Sequence, residues 1–178
     1  KCDDDSSLGM PDVDHTSNPI FEFLSDSQRD EFIAACDKVS LAAGSQVMTR
    51  GDAGEQVYFL TAGEVSVRLP GANSQELARL QPPAVVGEIS LLTGQGRTAN
   101  VVATTSCELL SMPFEDFQAR QAAGDIATLK IVSNIAKVLA HRLVALTDKL
   151  MELEADVPRE RFVELQQFKA RLFAEWSA

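Results

Sequence analysis

Through the middle of the chain, apolar and polar residues alternate with a period of two, which is the pattern of short β-strands with one buried face. Glycine residues and the Pro-Gly-Ala-Asn-Ser cluster at 70–74 separate these runs as turns. The predicted strands are 39–42, 46–49, 57–61, 64–69, 76–81, 98–104 and 107–112. Many short strands at this spacing predict a β-roll or jelly roll, in which two sheets enclose one core.

Helical signals flank the strands. Ser25 and Gln28 have the spacing of a capping box, which predicts a helix over about 26–36. Pro113 suits the first turn of a further helix, because its fixed φ and missing N–H are tolerated there. The predicted fold class is mainly β with flanking helices: a β-roll or jelly-roll barrel with N-terminal helices, a short helix in its interior loop and long C-terminal helices.

A long helix predicted over about 124–155 carries a repeating apolar pattern. The spacing alternates between three and four residues, as in the seam of a coiled coil. The seam positions are Leu129, Val132, Ala136, Leu139, Leu143, Leu146, Leu150 and Leu153. The pattern favours a homodimer through 129–153 over a lone packed helix. Ile131 and Ile135 also widen the stripe, so the first half can lie on its own β-roll.

The chain is expected to contain four segments. Residues 1–18 form a flexible acidic tail, because they offer almost nothing to bury. Residues 19–123 form the β-roll with its flanking helices, and 124–156 the long helix. Residues 157–178 form a C-terminal amphipathic helix with nearly balanced charge, which argues against a DNA-binding element.

Composition narrows the class of partner. A net charge of −10 and a pI near 4.6 disfavour nucleic acid and anionic lipid, since both attract Lys and Arg. No apolar run approaches the roughly 20 residues that cross a bilayer, so membrane insertion is not expected. Cys2, Cys36 and Cys107 lack the spacing of a disulfide framework or zinc site, which fits a reducing, cytoplasmic location. The chain begins with Lys1, as a fragment or processed product would.

The stretch 85–102 carries the candidate chemistry. A helical turn opening at Glu88 leaves unpaired backbone N–H groups, and Gly87 allows a ligand to approach the backbone. Arg97 offers a planar fork of donors for phosphate oxygens, and the Glu88 carboxylate can accept from a sugar hydroxyl. Together these groups would hold a ribose phosphate from two sides. A Glu88–Arg97 salt bridge that merely closes the loop is the alternative.

Two motifs resemble the cyclic nucleotide-binding domain family. The run Gly-Glu-Ile-Ser-Leu-Leu at 87–92, followed by Arg-Thr-Ala at 97–99, is similar to its phosphate-binding cassette. The run 51–60, followed by Gly-Glu-Val at 63–65, is similar to the turn between its second and third strands. Two motifs in the right order and spacing are more specific than either alone, and the resemblance covers roughly 20–144.

The resemblance implies a role for each cassette residue. Glu88 is expected to accept the ribose 2′-hydroxyl and Arg97 to bind the exocyclic phosphate oxygens. Thr98 permits cyclic GMP, through a bond to guanine, without excluding cyclic AMP, which is slightly favoured. The ligand-binding set is Gly87, Glu88, Ile89, Ser90, Arg97, Thr98 and Ala99, with backbone N–H groups at Ile89 or Ser90 and at Ala99 completing the cradle. Val86 departs from the family, which usually has an aromatic residue there.

The resemblance also implies a movement. In the family, the cassette contacts a hinge helix, and ligand binding lets the following helices swing over the pocket. Here Phe114 and Phe117 are the hinge candidates that would meet the cassette leucines Leu91 and Leu92. The candidates for a lid over the purine are Arg142, Leu143 and Leu146. The chain is thus predicted to be a sensor that converts cyclic nucleotide occupancy into helix movement, acting on an effector domain or protein.

Enzymes are the rival class for a jelly roll. Metal-dependent cupins need clustered His and carboxylate ligands, and nucleophilic catalysis needs a histidine base. His15 falls in the tail and His141 in a helix, so neither role is available. No catalytic residue and no metal are therefore expected. The chain could instead be the regulatory part of a larger enzyme, channel or transporter, or a dimerisation scaffold whose pocket binds nothing.

Overall fold

The computed structural model describes residues 19–69 and 76–155. Eight strands form two antiparallel four-stranded sheets, ordered β1-β8-β3-β6 and β2-β7-β4-β5. The strands are β1 (Asp37–Leu41), β2 (Gln46–Met48), β3 (Gln56–Ala62), β4 (Val65–Arg68), β5 (Glu76–Leu80), β6 (Ala84–Val86), β7 (Asn100–Ala103) and β8 (Cys107–Pro113). The helices are a short 3-10 turn (Pro19–Phe21), α1 (Asp26–Ala34), α2 (Glu88–Thr93), α3 (Phe114–Ala122) and α4 (Ile126–Ala155). This architecture confirms the predicted jelly roll with flanking helices.

Two features of the strands differ from the prediction. β6 was not predicted as a strand, because all three of its residues are buried and no alternation marks it. β7 begins at Asn100 rather than at residue 98, because the backbone of Arg97 pairs with the turn at Gly51 and Asp52 instead of with a strand. Both differences fall next to the candidate site.

One core lies between the sheets, with an aromatic cluster beneath the helices. Phe59 on β3 is fully buried and its ring centroid lies 5.6 Å from that of Phe32 on α1. Phe21 lies 6.0 Å from both rings, and Phe117 on α3 lies 6.4 Å from Phe32. Such tilted and edge-on contacts stabilise aromatic pairs beyond their burial. The cluster therefore joins α1, α3 and the N-terminal turn to β3.

The first three turns of α4 hold the N-terminal segment by side-chain hydrogen bonds. The buried Asn134 donates from Nδ2 to the carbonyls of Ile20 (3.1 Å) and Glu22 (2.8 Å). Lys130 donates from Nζ to the Phe23 carbonyl (2.7 Å) and to Oε1 of Gln28 (2.9 Å). These two side chains therefore supply hydrogen-bond donors to the carbonyl groups of Ile20, Glu22 and Phe23.

The capping box of α1 is present, as predicted. Ser25 Oγ accepts from the Gln28 N–H and Gln28 Oε1 accepts from the Ser25 N–H. Replacing Ser25 with alanine is expected to lower the free energy of unfolding by about 1 kcal/mol, because an N-terminal donor loses its partner. Ser27→Ala on the same helix is the control, since Ser27 only donates to the exposed Glu31. Urea unfolding that shows equal losses for both variants would contradict the capping role.

The structure divides into two compact units between Ile135 and Ala136, inside α4. In the first unit's part of α4, Ile131 and Ile135 are fully buried, as expected for side chains that lie on the β-roll, whereas Leu129 is 45% exposed. The predicted tail at 1–18 and the predicted helix at 159–176 lie outside the described residues, and the four segment boundaries stay predictions. No described helix is long and apolar enough to cross a membrane.

Candidate functional site

The cassette helix α2 is set between two glycines with positive φ. Gly87 (φ 85°) follows β6 and precedes the helix, and Gly94 (φ 69°) ends it by donating to the Ser90 carbonyl at 2.9 Å. Side chains resist this backbone region, so glycine at both ends allows so short a helix. Glu88 and Ser90 are buried at its start. The short helix thereby places its first turn at the end of β6.

The guanidinium of Arg97 is buried beside this helix. The side chain is 6% exposed, and Nη2 donates to the Gln56 carbonyl at 2.6 Å. The guanidinium carbon lies 5.9 Å from the centroid of the Tyr58 ring and 5.5 Å from that of Phe114. Arginine stacks well on aromatic faces, so both rings hold the planar fork in place.

The second terminal nitrogen of Arg97 has no acceptor. Nη1 is buried and, among the residues that the structure describes, makes no hydrogen bond. It lies against the Gly87 backbone so closely that a Cβ at position 87 would overlap it. Leaving a buried donor unpaired costs roughly 1–3 kcal/mol, and more when the donor is charged. An acceptor supplied from outside would therefore be bound strongly at this place.

The electrostatics of Arg97 reflect burial and its neighbours. Burial lowers the pKa of Arg97, and the charges of Tyr58, Glu88 and Asp52 act in the opposite direction. Glu88, the residue next to Gly87, is 5% exposed. The fold therefore brings the predicted donor and the predicted acceptor to one place, at the start of α2.

The main chain of Arg97 is fixed as firmly as its side chain. The Arg97 N–H donates to the Asp52 carbonyl at 2.9 Å, and the Gly51 N–H donates to the Arg97 carbonyl at 2.9 Å. A Cβ at Gly96 would lie 3.1 Å from that same Asp52 carbonyl, which leaves little room for a side chain. The upstream motif at 51–60 thus supports the cassette directly.

Close packing joins the upstream turn, the cassette and α3. A Cβ at Gly54 would lie 2.7 Å from the Cβ of Ser90 and 3.1 Å from Cε2 of Phe114. The Phe114 N–H, at the start of α3, donates to the Glu55 carbonyl at 2.8 Å. Glycine is required at 54 because any side chain there would push α2 away.

The remaining predicted site residues are more exposed. Thr98 is exposed, Ala99 is half-buried, and the side chain of Ile89 is 38% exposed, so any role of Ile89 rests on its backbone. The lid candidates belong to the second compact unit, where Leu143 and Leu146 are 45% and 64% exposed and Arg142 is half-buried. Their role as a lid stays a prediction.

Sequence reasoning missed three parts of the arginine's environment. Gln56 contributes only its backbone carbonyl, which leaves no mark on the sequence. Tyr58 and Phe59 are neighbours on one strand and so face opposite sides of it, but alternation does not say which side is the site; the structure places Tyr58 beside Arg97 and Phe59 in the core. Phe114 is predicted only as a hinge residue. Its position directly after Pro113, at the start of a predicted helix, was the available signal for its contact with Arg97.

No group of three or more His, Cys, Asp or Glu side chains in the described ranges could hold a metal ion. Burial raises the pKa of the Cys36 thiol to about 12, so this cysteine stays protonated at neutral pH. The arrangement of Arg97, Gly87 and Glu88 at the start of α2 is suited to holding an anion that also offers a hydroxyl group.

A family model described as the cyclic nucleotide-binding domain matches residues 38–122. The chain is 32% identical over 132 residues to Glutaminase 1 of Bradyrhizobium diazoefficiens, spanning 74% of this chain and 21% of that protein. It is 32% identical over 129 residues to the Cyclic AMP receptor protein of Thermus thermophilus, spanning 71% of this chain and 57% of that protein. The chain therefore covers less than two thirds of either relative.

A solved structure shows the same likeness. The N-terminal domain of a transcriptional regulator from Streptomyces coelicolor A3(2) superposes with a TM-score of 0.59 and 30% identity. The match covers 72% of this chain and 91% of that domain.

Proposed function

This chain belongs to the cyclic nucleotide-binding domain family, and we propose that it is a cyclic AMP sensor. Occupancy of the cassette is converted into a movement of the C-terminal helices. Arg97 binds the exocyclic phosphate, Glu88 accepts the ribose 2′-hydroxyl, and the chain's own residues need no metal for either contact.

The observation that carries this proposal is the unpaired, buried Nη1 of Arg97 beside Gly87 and the buried Glu88. A phosphate oxygen at Nη1 would complete the hydrogen bonding of the guanidinium, and the charge-assisted bond would form in a site already shaped by Gln56 and two aromatic rings. The guanidinium is already ordered by these contacts, so the ligand need not order this side chain at the expense of affinity.

Glu88 and the ribose can be tested as a pair. Glu88→Gln is expected to weaken cyclic AMP binding about tenfold, less than loss of the arginine, because an amide oxygen still accepts but without charge. Calorimetry with 2′-deoxy cyclic AMP should show a similar loss for the wild-type protein and little further loss for Glu88→Gln. Equal losses on removing the hydroxyl from both proteins would show that Glu88 does not bind it.

The preference for cyclic AMP or cyclic GMP is proposed to depend on how Thr98 meets the base of the nucleotide. The Thr98 side chain is exposed next to Arg97, where its hydroxyl can reach a ligand. A hydroxyl there permits cyclic GMP, and the likeness to a protein named Cyclic AMP receptor protein supports cyclic AMP as the stronger ligand. Parallel titrations with both nucleotides test this order. A scaffold with an empty pocket would bind neither.

Transmission is proposed to begin at Phe114. Its ring lies on the Arg97 guanidinium, and its N–H fixes the start of α3 to Glu55. A bound phosphate attracts the Arg97 guanidinium and so changes the surface on which the Phe114 ring lies. Because Phe114 begins α3, this helix moves when the ligand binds. The coupling can be no stronger than the ligand's preference for the moved state.

The activity that this chain regulates is proposed to belong to another domain of a longer protein. The chain spans 21% of Glutaminase 1, which supports a regulatory role beside an effector domain in a longer cytoplasmic protein. The exposed Leu129, Leu143 and Leu146 support a homodimer through 129–153. Light scattering of the chain, with and without cyclic AMP, tests the dimer.

A further inference from the structure

A side chain outside the predicted ligand set holds the loop that carries Arg97. Oδ1 of Asn100 accepts from the Arg50 N–H at 2.8 Å, across fifty residues of sequence. Asn100 is the first residue of β7 and is half-buried. The bond joins the cassette's exit to the turn between β2 and β3.

This bond fills a gap between two attachments. The β2–β7 ladder ends with Met48 opposite Val101. Backbone pairing between the same two segments resumes where Gly51 and Asp52 exchange hydrogen bonds with Arg97. Between these two points, residues 98 and 99 do not pair with the strand. The N–H of Arg50 therefore bonds the side chain of Asn100 instead of a backbone carbonyl.

We propose that Asn100 is a positioning residue for nucleotide binding. By bonding Arg50, it makes the connection from the β-roll to the Gly51–Asp52 turn continuous, and that turn fixes the backbone of Arg97. An arginine on a loose loop would have to be ordered by the ligand at the expense of affinity. The effect on binding rests on the proposed function, whereas the effect on the loop does not.

Hydrogen exchange of the ligand-free protein, followed by NMR, tests the loop. Asn100→Ala is expected to speed exchange of the Gly51 and Arg97 amides by roughly three- to tenfold, the equivalent of one lost hydrogen bond. Asn100→Asp keeps an acceptor oxygen and should restore slow exchange. Ser40→Ala is the matched control, because Ser40 also bonds a neighbouring strand by its side chain, to Glu108 in the other sheet.

Calorimetry with cyclic AMP tests the consequence. Asn100→Ala should raise the Kd by roughly three- to tenfold, while Ser40→Ala leaves it unchanged. Unchanged exchange at Gly51 and Arg97, or acceleration spread evenly over β2, β7, β4 and β5, would overturn the positioning role. So would faster exchange with an unaltered Kd. If the wild-type protein binds neither cyclic nucleotide, the proposed function fails, and the exchange data still decide whether Asn100 holds the loop.

Discussion

Replacing Arg97 with alanine is expected to weaken cyclic AMP binding by about 100-fold or more, because the charge-assisted bond from Nη1 to the phosphate is lost and the charge of the phosphate is left unpaired. The fold holds the Arg97 guanidinium at Gly87, bonded to the Gln56 carbonyl and beside the Tyr58 and Phe114 rings. Calorimetry at fixed salt measures the loss.

Two further variants separate binding from folding. Arg97→Met keeps an apolar side chain beside the two aromatic rings. It removes both the buried donor that lacks a partner and the bond to the Gln56 carbonyl, and these two effects on the free energy of unfolding of the ligand-free protein have opposite signs, so the net change should stay below about 2 kcal/mol. Arg29→Ala removes a half-buried arginine from α1, where it pairs with Asp26, and should leave the affinity unchanged. Wild-type affinity in Arg97→Met would show that the phosphate binds elsewhere.

The second large effect is expected at Gly87. Alanine there must adopt a positive φ, which costs about 1–2 kcal/mol, and its Cβ would displace Nη1 of Arg97. Gly94→Ala is a closely matched control, since it has a similar φ in the same cassette but nothing within 4 Å of its added Cβ. Both variants should lose stability, and only Gly87→Ala should lose cyclic AMP affinity, by about tenfold or more.

Comparison of the two glycine variants isolates the arginine. Urea unfolding measures the stability that both variants lose through backbone strain. Calorimetry measures the loss of cyclic AMP affinity, which is expected only for Gly87→Ala. Equal losses of affinity would mean that backbone strain alone, and not contact with the guanidinium, explains the requirement for glycine.

The sequence predicts a strand most directly where burial alternates along it, as on β7, where Val101 and Ala103 are buried and Asn100 and Val102 are less so. On β3, the fully buried Val57 and Phe59 alternate with Gln56 and Tyr58, and Tyr58 lies beside the Arg97 guanidinium. The fully buried Leu60, directly after Phe59, breaks this alternation. β6 escapes prediction because its three residues are all buried. A strand covered on both faces has the same apolar pattern as a buried helix.

The candidate site is predicted where side-chain chemistry defines it. Glu88 and Arg97 could be chosen from residue type and spacing, and the structure brings both to the start of α2. What fixes Arg97 could not be chosen in this way, because the Gln56 and Asp52 contacts are made by backbone carbonyls. Asn100 bonds across fifty residues, and only the fold shows which segment lies beside it.

The crystal structure of the protein grown with cyclic AMP tests the central claim most directly. It should show a phosphate oxygen about 2.7–2.9 Å from Nη1 of Arg97, at charge-assisted hydrogen-bond length, with the ribose 2′-hydroxyl donating to the Glu88 carboxylate. A nucleotide bound elsewhere, or one whose phosphate leaves Nη1 without an acceptor, would contradict it.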